Sequence, residues 1–159
     1  MSSGVQVLEE CLTAYNDIKK NKKYVYVIFK IVDHNGKALS AISVDRTSCS
    51  TGQKDQEEQG KAYQEFLDYL RDTEEKRECC YALFDYGYTQ ENSTWKNSVI
   101  FFSWNPENAT IKQKMLYTAS VKNFLAKLEG IGKTIQANSM DDVAESTIKA
   151  KCLKSSRAT

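Results

Sequence analysis

A chain of 159 residues, 41% hydrophobic and 27% charged, suits one domain with a substantial core. It is too short for two domains of usual size and too apolar for wholesale disorder. Its 22 Lys+Arg against 21 Asp+Glu give a net charge of +1, which excludes the strongly basic balance of a dedicated nucleic-acid binder. No apolar run nears the ~20 residues of a membrane helix, and the start MSSGVQVLEE carries neither a signal-peptide core nor a Met-Gly acylation start; a soluble intracellular protein is expected.

In chain order, the first six residues hold no charge and no strong structural signal, and read as a flexible arm. Leu8, Cys11, Leu12, Tyr15 and Ile18 then recur at three- and four-residue steps, which predicts an amphipathic helix over residues 7–20 closed by the lysine run 19–23. YVYVIFKIV at 24–32 is a β-branched and aromatic strand. Asn35-Gly36 is hairpin-turn chemistry, so 38–44 returns as its partner. Residues 45–59 are polar and read as an exposed loop. Ala62, Tyr63, Phe66, Leu67 and Leu70 mark a second helix, and 80–88 and 98–104 two more strands joined by the polar segment 90–96. Pro106 stops the strand. Thr110-Ile111-Lys112-Gln113 fits a capping box opening a helix to about residue 129. Gly130-Ile131-Gly132 ends it, residues 134–137 form a short strand, and a last helix is expected over about 142–153. Strands interleaved with helices predict an α/β domain, a mixed sheet covered on both faces.

Chemistry is sparse. The five cysteines (Cys11, Cys49, Cys79, Cys80, Cys152) are odd in number and irregularly spaced, so reduced thiols are expected rather than a disulfide framework. The single histidine, His34, falls in a turn with no nucleophile near it in sequence, a poor place to exclude water for Ser-His or Cys-His catalysis. No phosphate-cradling glycine motif is present, and the adjacent carboxylates sit on exposed segments. The chain reads as a binding protein, not an enzyme, with no metal or cofactor.

Charge is uneven along the chain. Residues 45–78 hold ten acids and six bases, whereas residues 110–159 hold nine bases and four acids. The C-terminal third either meets something acidic or presents a solvated lysine face. The helix from Thr110 sharpens the choice. At about 100° per residue from Ile111, the positions Tyr117, Val121, Phe124, Leu125 and Leu128 fall between roughly 220° and 320°, an ordinary core stripe. Lys112, Met115, Leu116 and Lys122 lie off it, and Lys114 lies above it in the first turn. No acid occurs between Ile111 and Lys127 to pair with these lysines, and the helix dipole disfavours cations at this end. Such a turn suits insertion into an acidic, apolar-lined cleft on a partner.

Three segments together carry a resemblance: Met1-Ser2-Ser3-Gly4-Val5; Val99-Ile100-Phe101-Phe102-Ser103-Trp104-Asn105-Pro106; and Lys112-Gln113-Lys114-Met115-Leu116-Tyr117-Thr118-Ala119-Ser120. The chain resembles the actin-depolymerising factor/cofilin family over nearly its whole length. The resemblance implies one gelsolin-like ADF-homology domain over 4–153, an N-terminal arm at 1–3 and a C-terminal tail at 154–159. It implies a monomer that binds monomeric and filamentous actin, preferring the ADP form, and that severs and depolymerises filaments. Ser3, Gly4, Val5, Lys112, Lys114 and Met115 stand at positions the family uses against monomers. Lys96, Lys151 and Lys154 stand at positions used against a second filament subunit. Ser3 is the expected phosphorylation site for a kinase and phosphatase, and phosphatidylinositol bisphosphate the expected competing ligand. The other reading keeps phosphoinositide binding or scaffolding with weak or no severing. The family implies the cytoplasmic actin cytoskeleton, with a nuclear pool allowed. Departures are Ser98 and Ala150, where a base and an acid are expected, Lys133 in place of a histidine, and a longer 45–59 segment.

Overall fold

The computed structural model describes residues 4–48 and 56–158; Ser3 and Cys49 therefore lie outside the described residues. Eleven elements follow one another: β1 (Gln6–Val7), α1 (Glu9–Lys19), β2 (Tyr26–His34), β3 (Lys37–Thr47), α2 (Gln56–Glu75), β4 (Cys80–Thr89), β5 (Trp95–Trp104), α3 (Ile111–Ala126), β6 (Lys133–Ala137), a 3₁₀ turn (Met140–Val143) and α4 (Glu145–Ala158). The six strands form one sheet in the order β1-β3-β2-β4-β5-β6. The centre is antiparallel, and β1 on β3 and β6 on β5 are parallel edges.

Side chains alternate across β4, so one strand feeds two cores. Cys80, Ala82, Phe84 and Tyr86 join Tyr63, Phe66 and Leu70 of α2 and Ile148 and Cys152 of α4 on one face. Tyr81 and Leu83 join Cys11, Tyr15 and Ile18 of α1 and Tyr117 and Phe124 of α3 on the other. Aromatic rings dominate both sides, with Tyr63 against Phe84 at 5.0 Å between centroids and Phe29 edge-on to Phe124 at 5.0 Å. The expected sheet, covered on both faces, is the observed one.

Several boundaries differ from the sequence reading, each for a local reason. The N-terminal arm does not extend to residue 6: Val5 is buried, and Gln6–Val7 pairs with Ala41 and Ile42 of β3. Two residues are too short to register as a period-2 pattern. The segment 45–59 is not one loop, because β3 continues to Thr47 and α2 begins at Gln56. The box at Thr110 is half formed. The Thr110 hydroxyl accepts from the Gln113 N–H at 3.2 Å, but the Gln113 amide oxygen turns away to accept from the Cys79 N–H at 3.1 Å. A full box closes instead between Ser139 and Asp142, opening the 3₁₀ turn. Past that turn α4 starts at Glu145 and runs to Ala158, so most of the expected 154–159 tail is helix. The Asn35-Gly36 turn takes the double positive φ of a type I′ hairpin, 50° and 78°.

Candidate functional site: two basic surfaces at opposite ends of β5

The first surface is the opening turn of α3, held by a tightly bonded turn after β5. The Asn105 N–H donates to the Ala137 carbonyl at 2.9 Å, and its side-chain amide donates to the Thr118 hydroxyl at 3.1 Å. The Ala109 N–H closes onto the Pro106 carbonyl at 2.9 Å, and the Thr110 N–H onto the Arg77 carbonyl at 3.2 Å. Arg77 in turn donates to the Asn108 carbonyl at 3.0 Å. With its backbone fixed on several sides, the turn presents a preformed shape. Met115 is 67% exposed and Ile111 76%, the two large apolar side chains most open to solvent among the described residues. They stand four residues apart on one helix, so they form a single apolar knob. Lys112 is exposed beside it, and Lys114 bends back to donate to the Glu107 carbonyl. The deeper stripe follows the helical wheel at Tyr117 and Phe124, which are buried, and the Tyr117 hydroxyl accepts the Ile31 N–H at 2.8 Å. Leu116, off the stripe on the wheel, nonetheless packs partly buried against the same core. Ile111 is the surface residue that the core stripe does not reveal; its position i−4 from Met115 is the signal that marks it.

Gly4 and Val5 root the N-terminal arm along the same helix but not beside Lys112. The Asn123 amide donates to the Val5 carbonyl at 3.0 Å. Asn123 lies eleven residues past Lys112, about 16 Å along the axis. The root and the lysine turn are thus two stations on one helix rather than neighbours.

The second surface lies at the other end of β5. Lys96 pairs with Tyr88 across the β4–β5 hairpin and is exposed. Its side chain faces α4, close enough that its charge and that of Lys133 favour the Cys152 thiolate; desolvation is the larger effect and leaves that thiol above its usual range. Lys151 and Lys154, both exposed, flank Cys152 on α4. The structure therefore brings Lys96 toward the helix that carries Lys151 and Lys154. It also adds cations the sequence reading left out. An open groove of about 460 Å³ is lined by Lys19, Lys22, Lys96, Lys133, Ser98 and Cys152 among others. Lys22 is held 3.2 Å from the buried Asp85 carboxylate, and Lys19 donates to the Glu129 carbonyl at 2.9 Å. The lysine run after α1 was legible as a helix end; that it meets the start of β5 is a product of the fold. Ser98 packs against Gly132, where a Cβ would strike its hydroxyl, so the expected second base at position 98 is replaced by a small side chain that lets the loop before β6 close.

Both surfaces sit on a chain whose relatives are unambiguous. A family model for cofilin/tropomyosin-type actin-binding proteins matches residues 4–153. The chain is 35% identical to a cofilin of Mycosarcoma maydis, covering 98% of this chain and 99% of that one. It is 31% identical to actin-depolymerizing factor 2 of Zea mays, covering 94% and 96%. Among solved structures, a cofilin of Streptomyces griseoflavus superposes with a TM-score of 0.76 at 29% identity, over 95% of this chain and 98% of that one. Plasmodium berghei actin depolymerization factor 2 gives 0.75 at 27%, over 96% of each. The half-capped, acid-free first turn of α3 and the Trp104-Asn105-Pro106 turn that holds it thus stand in a chain that belongs to the cofilin/ADF family of actin-binding proteins.

Proposed function

We propose that this chain binds actin in both monomeric and filamentous form, prefers the ADP form, and severs and depolymerises filaments in the cytoplasm. The observation that carries the reading is the opening turn of α3: a fixed backbone, an apolar Ile111–Met115 knob and two lysines with no acid on the helix. Desolvated charge contacts of this kind contribute about 2–5 kcal/mol to a complex when lost one-sidedly, and an apolar knob supplies the anchor. Gly4 and Val5 extend this surface along α3 against one subunit, and Ser3 is proposed to act with them. Lys96, Lys151 and Lys154 engage a second subunit, so monomer binding needs one surface and filament binding both. The names of the relatives, cofilin and actin-depolymerizing factor, support the same activity.

Ser3 is the proposed switch, set by a kinase and reset by a phosphatase. A phosphate there adds about −1.5 to −2 charges to an arm rooted at Asn123, on the helix that faces actin. Phosphatidylinositol bisphosphate competes with actin for the lysines. The groove of Lys19, Lys22, Lys96 and Lys133 favours an anionic headgroup, and a protein acting chiefly through that groove would bind vesicles and not sever.

Imaging labelled filaments with and without the protein tests the reading. Added wild-type protein should fragment and shorten filaments, Ser3→Ala should do the same, and Ser3→Glu should lose the effect. Intact filaments under wild-type protein, together with pelleting on anionic vesicles, would leave only the lipid reading.

A further inference from the structure

The β4–β5 hairpin outruns its neighbours. Strand β2 pairs with β4 only as far as Tyr26 opposite Phe84, with one further bond from the Asp85 N–H to the Val25 carbonyl at 2.8 Å. Two residues on, Gly87 points its N–H and C=O the same way, toward an edge that β2 has vacated. Both groups would be left without a strand partner. Gln59, in the first turn of α2, supplies one. Its amide oxygen accepts the Gly87 N–H at 2.6 Å, and its amide NH₂ donates to the Gly87 carbonyl at 2.6 Å. The side chain is 1% exposed; it stands where a strand backbone would stand.

The rest of the hairpin is organised around the same glycine. A Cβ at Gly87 would collide with the Trp95 indole, which lies across it. The indole N–H donates to the Asn97 side chain at 2.9 Å, and Asp85, bound to Lys22, lies next in line. Trp95 and Asn97 flank Lys96 on the opposite face of β5. Gly87 and its contacts therefore hold the residues on either side of Lys96, whose own partner across the hairpin is Tyr88.

We propose that Gln59 is a positioning residue for filament binding: its amide clamps Gly87 and thereby aims the projecting hairpin that carries Lys96. The inference rests on the second surface described under Proposed function. It assigns to α2, on the sheet face opposite α3, a role in discriminating filaments from monomers.

The test uses the full chain with Gln59→Ala, measuring hydrogen exchange at the Gly87 amide, monomer affinity and filament co-sedimentation, beside a Lys96→Ala control. The expected result is loss of protection at Gly87 and filament binding weakened about five- to tenfold, as for one or two buried hydrogen bonds, with monomer affinity unchanged. If Gln59→Ala does not fold, Gln59→Leu removes both hydrogen bonds to Gly87 while keeping most of the side-chain volume, and is read the same way. Unchanged filament binding with Gly87 deprotected would overturn the proposal, as would equal losses on both actin forms or a Gly87 amide still protected. If Lys96→Ala weakens filament binding and Gln59→Ala does not, the inference falls and the surface stands. A silent Lys96→Ala removes the surface, and the inference with it.

Discussion

Lys112 shows how little a side chain proposed for binding has to do for the fold. It is exposed, carries no ion pair among the described residues, and sits at the helix end where the dipole opposes a cation. Lys114 adds one bond to a solvent-side carbonyl. Replacing both with Ala should leave stability within about 0.5 kcal/mol and weaken actin binding by on the order of 2–5 kcal/mol. Thermal melts and monomer titrations check the pair, and a double variant that binds normally would remove the first surface. Cys11 is the opposite case, a side chain wholly given to the core. Its thiol donates to the Ile42 carbonyl at 3.1 Å, and burial pushes its pKa from 9.0 up to about 12, with Glu10 adding to the rise. The folded state keeps this proton where the unfolded chain releases it, so the stability Cys11 contributes is complete below about pH 9 and is lost as pH climbs toward 12. Buried Tyr63, Tyr81 and Tyr117, all raised above 10.0, act in the same direction at higher pH. Melting temperature should therefore fall from pH 8 to pH 10.5, and Cys11→Ala should flatten the early part of that fall; parallel curves for the two proteins would rule the thiol out.

Among elements, α3 joins the two kinds of residue, and Tyr117 is where they meet. Its hydroxyl accepts the Ile31 N–H of β2 at 2.8 Å, its backbone carbonyl accepts the Tyr81 hydroxyl, and its ring packs 5.1 Å from that of Tyr81. Tyr117→Phe would leave a buried N–H unpaired, at a cost of about 1–3 kcal/mol. Denaturant melts should show that loss, while the Lys112 turn, fixed separately by Asn105 and Arg77, keeps its actin affinity at temperatures where the variant is folded. A drop in binding without a drop in stability would place Tyr117 at the interface instead. The stripe Tyr117, Phe124 and Leu128 was legible because, past the exposed Ile111–Met115 turn, the outward positions Thr118, Lys122 and Lys127 are polar and a 3.6-residue period stands out against them. The central strands were legible because each is an unbroken β-branched and aromatic run. What escaped had no period to read. Strand β1 is two residues long and owes its place to Ala41 and Ile42 opposite. Gln59 looked like loop because its polar side chain signals solvent unless Gly87, 28 residues away, is known to meet it. The Gln113 amide matched a capping box and went to Cys79, because a strand end with a free N–H lay within reach. Local patterns specify elements; partners brought in by topology decide where polar side chains go. The groove lysines belong to the second category, for Lys19 and Lys133 are far apart in sequence and meet only across the sheet.

At the scale of the whole molecule, β5 sets the distance between the two surfaces. It runs from Trp95 to Trp104, so Lys96 and the turn that opens α3 are separated by roughly 30 Å at ~3.3 Å per residue. That exceeds the ~8 Å Debye length at physiological ionic strength more than threefold. Substitutions at such a distance should add without interaction, to within about 0.5 kcal/mol. The prediction is a thermodynamic cycle on actin. Lys112→Ala/Lys114→Ala should weaken both monomer and filament binding. Lys96→Ala/Lys151→Ala/Lys154→Ala should weaken filament binding alone, and the combined variant should show the sum of the two filament losses. Both sets remove cations from the proposed interfaces, so the filament affinity of each variant should also respond less to added salt than that of the parent. Co-sedimentation and monomer titration at two ionic strengths measure every corner of the cycle. A loss of monomer affinity from the Lys96, Lys151 and Lys154 set would mean that one actin subunit reaches both ends of β5. A strong coupling energy in the filament cycle would mean that the two contacts form as one. Either result would replace two surfaces with a single continuous one wrapping the strand.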